Sequence, residues 1–363
     1  MGKRELVIIA AFLVVGAIAY RFTAPPAAEG QGFSLSRLLR GVREEVNPAS
    51  ATRTHTGRIT AAGALREVRI SGVRRLVVTG EDREDIEYSL EVRSTGPDEA
   101  TAGTYADQTV LETDDLGDTL TVGVDYPAEA SQTAGLTLKV PSRLAVRLAG
   151  RLDPEVTGVA ALHLEGATGD VTGRGIRGPV TGSHRSGRLT IEEAASVDVT
   201  LQAARADLQK VTGGIRINGQ SGEVRITDSS GDVEIEQRGV TIRIEAQAGM
   251  IRVGGSGGEV RLTDPAGEVR VDTRSTEVEV TVGPPVPMRL LTSGEPLRLI
   301  LDASSAVTLD AIATSGGAIQ AEDWSLTPEK QGDETRLAHT FGAGTARIVA
   351  RDSDGDIVIR RRK

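Results

Sequence analysis

The 363-residue chain has no cysteine. That excludes disulfide staples, thiolate metal sites and lipid attachment through an N-terminal cysteine, and it leaves the redox compartment open. Aromatic residues make up only 2% of the chain, with a single tryptophan, so the core has to be aliphatic and thin. Basic residues are outnumbered: 42 Lys and Arg stand against 51 Asp and Glu, for a formal net charge of −9. Phosphate binding needs a positive field, so no nucleic-acid partner is expected. The sequence contains no GxSxG, HExxH, GxGxxG or P-loop. Its four histidines (His55, His163, His184 and His339) match no metal-ligand spacing. No residue is assigned a catalytic, cofactor-binding or metal-ligating role, and the chain reads as a non-enzyme without cofactor.

Long apolar runs are equally scarce. One opens the chain: MGKRELVIIAAFLVVGAIAYRFTAPP places Lys3 and Arg4 before an apolar run from Leu6 to Tyr20. This is an export signal, and two versions compete. Ala17-Ile18-Ala19 offers a small-x-small cleavage site. Alternatively the helix continues to Ala24, with Arg21 snorkelling, and remains as an anchor stopped by Pro25-Pro26. In both, Lys3 and Arg4 stay in the cytoplasm and the rest crosses the membrane. The expected location is the cell membrane, single-pass, with the bulk of the chain outside the cytoplasm. Downstream, FSLSRLLRGVREEV (33–46) sets Leu35, Leu38, Leu39, Val42 and Val46 at helical spacing, with Arg37, Arg40 and Arg43 on the other side. Such a helix either rests on anionic headgroups or caps the next domain. Residues 47–56 (NPASATRTHT) read as linker.

What the chain has in quantity is glycine, 43 residues, and a nine-residue period. Ile215, Val224, Val233, Ile242, Ile251, Val260, Val269 and Val278 stand nine apart. Each opens a Val-x-Ile pattern, as in GEVRI and GDVEI. With one eight-residue step the frame runs back through Ala206, Val197, Leu189, Val180, Val171 and Leu162, roughly fourteen copies in all. Each copy alternates apolar and polar with period two, a strand with one buried face. The intervening residues (NGQS, TDSS, GGSG, TDPA) are turn formers. A short strand plus a tight turn buries its face only by stacking on its neighbours, which predicts an all-β parallel β-solenoid. Gly213, Gly231, Gly249 and Gly267 recur at steps of 18, favouring two strands and about 18 residues per coil; three strands and 27 residues is the alternative.

The expected organisation follows. A cytoplasmic stub covers 1–5, a transmembrane signal-anchor 6–24, and a linker with a short amphipathic helix 25–56. A β-rich N-terminal part spans 57–150 and the regular repeat 151–282. Irregular C-terminal coils and a cap fill 283–363, where GPPVPM (283–288) interrupts the period. Capping segments are expected at both ends, because an open end is a sticky strand edge.

The exported anchor, the segment LTLKVPSRLAVRLAG, the repeated GEVRI/GDVEI units and the terminal GDIVIRR together resemble a bacterial β-strand-repeat family of "putative adhesins", the head-GIN-domain type. The resemblance covers about residues 57–363. It implies a β-solenoid outside the cytoplasmic membrane with no known catalytic residues, and its functional label is a fold-level one.

Two site patterns need weighing. GGSGGEVRL (254–262) approaches the calcium-roll unit but has Glu259 and Arg261 where Asp and a large apolar residue are needed. Asp352, Asp354 and Asp356 in DSDGD have ligand-like spacing without the Glu that closes an EF-hand loop, and read as a solvated acidic turn. Polysaccharide-active β-helices need converging carboxylates and ring platforms; here carboxylates recur at outward strand positions and aromatics are few.

The remaining candidate is a surface. With 18-residue coils, Arg225, Arg243 and Arg261 occupy one outward position on successive rungs, with Glu279 continuing the row. They form a candidate anionic-ligand stripe, flanked by Glu223, Glu245 and Glu259. The expected function is an adhesin-like or envelope scaffold/binding protein. Its partners would be the cytoplasmic membrane, through the N-terminal helix, and an anionic envelope polymer or a membrane protein. The alternative is an envelope-stress regulator acting through a membrane partner, since the stub MGKRE is too short to signal.

Overall fold

The computed structural model describes residues 49–61, 63–127, 131–302 and 304–362. The expected stub, signal-anchor and amphipathic helix lie outside the described residues. Among those described, no helix is long and apolar enough to cross a membrane.

The described residues are all-β apart from one helix, Glu99–Gln108. In the regular repeat, the strands Ile215–Thr227, Val233–Glu245 and Ile251–Thr263 pair in parallel at an offset of 18 residues. Ile215 aligns with Val233 and Ile251, and Val224 with Ile242 and Val260. Arg225 pairs with Arg243, not Arg252, so the pairing period is 18 and not 27. In each of these strands the buried positions change phase near the middle, as from Ile215 and Ile217 to Val224 and Ile226. The repeat's single eight-residue step leaves an offset of 17, with Gly187 opposite Ala204.

Inward positions are aliphatic and dry: Val224, Ile226, Val233, Ile235, Ile242, Val260 and Val278 are all at most 1% exposed. Burying such a side chain contributes about 1.5–3 kcal/mol. The 18-step glycines have a steric cause. A Cβ on Gly231, Gly249 or Gly267 would collide with the carbonyl oxygen of the glycine one coil earlier, because the backbones stack in contact at that corner. At the opposite corner Gln237 replaces a turn hydrogen bond. It accepts from the Val240 amide at 3.0 Å and donates to the Gly257 carbonyl at 2.7 Å.

At both ends the chain order and the spatial order part company. After the GPPVPM insertion the offset grows to 19, with Met288 opposite Val269. The next rung is not 307–321. It is the C-terminal pair Ala346–Ser353 and Ile357–Arg361, seated on Met288–Ser293 and Leu297–Leu301. Val307–Thr314 and Ile319–Ala321 then stack on the far side of that pair. The antiparallel strands Glu334–Thr340 and Glu329–Gln331 extend this end. At the other end, Glu67–Ile70 lies between Thr119–Asp125 and Ala145–Arg151, and Arg75–Glu81 between Gln132–Pro141 and Asp153–Thr157. Asp85–Gly96 pairs antiparallel with Gln132–Pro141, and Ala49–Thr60 with Asp85–Gly96.

Two features depart from the sequence reading. Residues 49–56, read as linker, are strand: Ala49–Thr60 pairs along its whole length with Asp85–Gly96. Its outer position leaves most of its side chains exposed, so it lacks the apolar alternation that marks a half-buried strand. Strands on either side of 150/151 and of 282/283 pair directly. The helix Glu99–Gln108 was unforeseen. Asp98 caps it, its carboxylate accepting from the Thr101 amide at 2.7 Å.

Candidate functional site

Strand alternation turns every second residue outward, and an 18-residue register stacks equivalent residues into columns about 4.8 Å apart. On one face the column reads Asp207, Arg225, Arg243, Arg261, Glu279, Arg298. The three arginines of the candidate stripe are therefore adjacent. Their charges, however, are taken up. Arg225 pairs with Glu245 at 3.2 Å; Arg243 pairs with Glu223 and, at 4.0 Å, with Glu259; Arg261 pairs with Glu259 at 2.8 Å and Glu279 at 3.1 Å. The network continues down the stack through Glu223–Arg205 and Arg205–Asp207, both at 3.2 Å, to Arg188. The hydrogen bond that Arg205 donates to the Asp207 carboxylate raises the Arg205 pKa above its ordinary value. Exposed pairs of this kind contribute about 0.2–1 kcal/mol each. The stripe is geometrically a ladder and electrostatically a neutral brace between coils.

The opposite face differs. Its column reads Arg216, Glu234, Arg252, Arg270, Arg289. Glu234 holds Arg216 at 3.1 Å and Arg252 at 3.8 Å, and Glu268 holds Arg270 at 2.7 Å. Arg289 is exposed and has no ion pair among the described residues. The neighbouring column is Asn218, Glu236, Gly254, Asp272, Leu291. Gly254 has no side chain of its own and the Glu236 carboxylate lies over it; a groove of ≈ 640 Å³ there is lined by the carboxylates of Glu236, Glu268 and Asp272 and by Arg252, Arg270 and Arg289.

Further along this face, Asp310 is 7% exposed and gathers Arg347 at 3.0 Å, Arg351 at 3.1 Å and Arg336 at 3.5 Å. Hydrogen bonds from Arg351 above all hold its carboxyl below the usual range. These residues come from three separate strands. Sequence reasoning missed Arg289 because the 19-residue step moves it off the nine-residue count. Arg347 and Arg351 were missed because their coil is inserted out of chain order.

DSDGD resolves into three separate environments. Asp352 points inward, 2% exposed, and burial pushes its carboxyl up to about 6. Neither oxygen makes a hydrogen bond of normal geometry, and the adjacent Thr292 hydroxyl donates to the Arg351 carbonyl instead, at 3.3 Å. Asp356 accepts from the Ala318 amide at 2.8 Å. Asp354 sits at positive φ in the turn. Among the described residues, no three His, Cys, Asp or Glu side chains converge to hold a metal.

No family model and no curated protein matches the chain. Among solved structures, it is similar to a "putative cell adhesion protein" from Clostridium sporogenes ATCC 15579. The TM-score is 0.21 at 9% identity, covering 86% of this chain and 100% of that one. It is also similar to a "putative adhesin" from Bacteroides fragilis NCTC 9343, with a TM-score of 0.25 at 9% identity, covering 85% of this chain and 97% of that one. At these scores the superpositions carry no argument about fold or role.

Proposed function

We propose that the chain is a non-catalytic, adhesin-like binding protein of the cell envelope. It is held to the cytoplasmic membrane by its N-terminal helix, with the bulk outside, and is built as a parallel β-solenoid of 18-residue coils. The observation that carries this reading is the parallel register. The same 18-residue offset from Ile215 to Thr263 repeats outward residues as straight columns on two flat faces. A repeated rigid surface suits an extended ligand, as in other stacked-repeat architectures. The export signal with Lys3 and Arg4 on its cytoplasmic side supports the placement.

Protease accessibility tests that placement. Residues 57–363 are expected to be cut from outside the cytoplasmic membrane and to fractionate with it. A mature N-terminus at Tyr20, read by mass spectrometry, means a cleaved signal and no anchor. A pull-down comparing the anchored chain with an anchorless one tests the role. A partner retained without the anchor supports binding by the solenoid, whereas one lost with it supports a regulator working through a membrane partner.

A further inference from the structure

We propose that the groove over Gly254 binds an acidic polysaccharide, a linear glycan carrying carboxylates and free hydroxyls. The assignment rests on the binding-protein reading above and supplies its ligand class. Arg252, Arg270 and Arg289 stand in register on three successive rungs beside the groove. At about 4.8 Å per rung their guanidinium groups lie along one line, Arg252 and Arg270 shared with Glu234 and Glu268 and Arg289 with no ion pair among the described residues. Arginine grips carboxylates bidentately, and a fork with no internal partner, as at Arg289, is free to do so.

The sheet becomes more basic beyond Arg289. Arg347 and Arg351 flank it diagonally on the next rung, where Val349 is its direct partner. Arg336 follows on the antiparallel strand beyond. Against these three stands the single carboxylate of Asp310, which fixes all of them in place. A chain lying along the groove therefore meets excess positive charge at one end.

The carboxylates in the groove decide between polyanions. Of the three, Glu268 is held by Arg270, whereas Glu236 and Asp272 are exposed and have no ion pair among the described residues. They accept hydrogen bonds from sugar hydroxyls, while they repel a polyphosphate, which offers no donors. Position along the stack points the same way. About ten rungs at ~4.8 Å put the groove roughly 50 Å from the strand Ala49–Thr60, away from the proposed anchor. The scarcity of aromatics removes ring-stacking platforms, so affinity must come from charge and must fall with salt.

The test uses the full chain in neutral detergent, with immobilised alginate as the uronic-acid polymer. Linear polyphosphate, phosphatidylglycerol vesicles and neutral dextran serve as comparators. Alginate is expected to bind in a salt-sensitive way. The double variant Arg270→Gln/Arg289→Gln should bind it about tenfold more weakly. Arg225→Gln/Arg243→Gln, on the braced face, should change binding by less than about twofold. The pair Glu236→Gln/Asp272→Asn should improve polyphosphate binding by removing repulsion. No alginate binding overturns the proposal. So does an undiminished affinity in the first variant with its melting unchanged, or equal or tighter binding of the unaltered chain to polyphosphate or vesicles. Membrane fractionation and the anchorless pull-down are independent of these readings. A wrong ligand class therefore leaves the binding-protein reading standing, and a wrong location leaves the alginate result intact.

Discussion

Replacing Asp352 with Asn should stabilise the protein at neutral pH and do much less in acid. Asp352 is an inward residue of the coil inserted between Met288–Ser293 and Val307–Thr314. Burial raises its carboxyl from the ordinary 3.8 to about 6, and the like charges of Asp356 and Asp354 add to the effect. The sign follows from linkage. A carboxyl whose folded pKa lies above its unfolded one binds more protons when folded, so stability falls as pH rises between about 4 and about 6. A shift of about two units corresponds to about 3 kcal/mol. Asn keeps the shape and cannot ionise. The stability difference between Asp352→Asn and the unaltered protein should therefore grow by about 3 kcal/mol from pH 4 to pH 7.5, starting near zero or slightly negative. Because stacked coils need not unfold as one unit, the measurement should be local. Hydrogen exchange by mass spectrometry over 346–361 and 288–301, corrected for intrinsic rates, would read it. A difference that does not change with pH would show that Asp352 is solvated or already paired, and the reasoning would be wrong.

Other substitutions probe the inside and outside of the sheet. Val233→Asp buries an unpaired carboxylate in place of an apolar contact and should destabilise its coils by roughly 3 kcal/mol or more. Glu234→Ala, its outward neighbour with two surface ion pairs, should cost on the order of 0.5 kcal/mol, and equal losses would refute the assignment of faces. Gly231→Ala drives a methyl into the Gly213 carbonyl and should cost about 1–3 kcal/mol in thermal or denaturant unfolding, whereas no loss would mean the corner relaxes freely. His184 is fully buried, neither ring nitrogen has a partner, and burial lowers its pKa below 6.5. Its neutral form is required, so stability is lost as pH falls below about 6.5; His184→Leu should abolish that acid-side loss in a pH series of melts.

Arg225, Arg243 and Arg261 show how much of the candidate site was legible. Their alignment was favoured by the sequence through the 18-step glycines, but an offset of 27 would also keep Val224, Ile242 and Val260 inside, and the ladder decides for 18. Their neutralisation was harder to see, since it depends on which of several nearby glutamates each guanidinium reaches. Arg289 shows the converse case. A one-residue insertion removes it from the count, yet the ladder absorbs the insertion in a loop and restores the column.

The alternating pattern by itself determined that the chain is β and which residues face inward, and it left paired residues 18 or 27 apart. Those properties follow from a side-chain period of two and a repeat that must bury one face against its own copies. Tertiary structure alone decided the order of the coils at each end. Strand Glu67–Ile70 and strand Ala346–Ser353 each slot between two others with the same apolar alternation. A parallel strand of that kind pairs equally well with many partners, so local pattern does not rank them. Only the whole stack does so, by burying every open edge that it can.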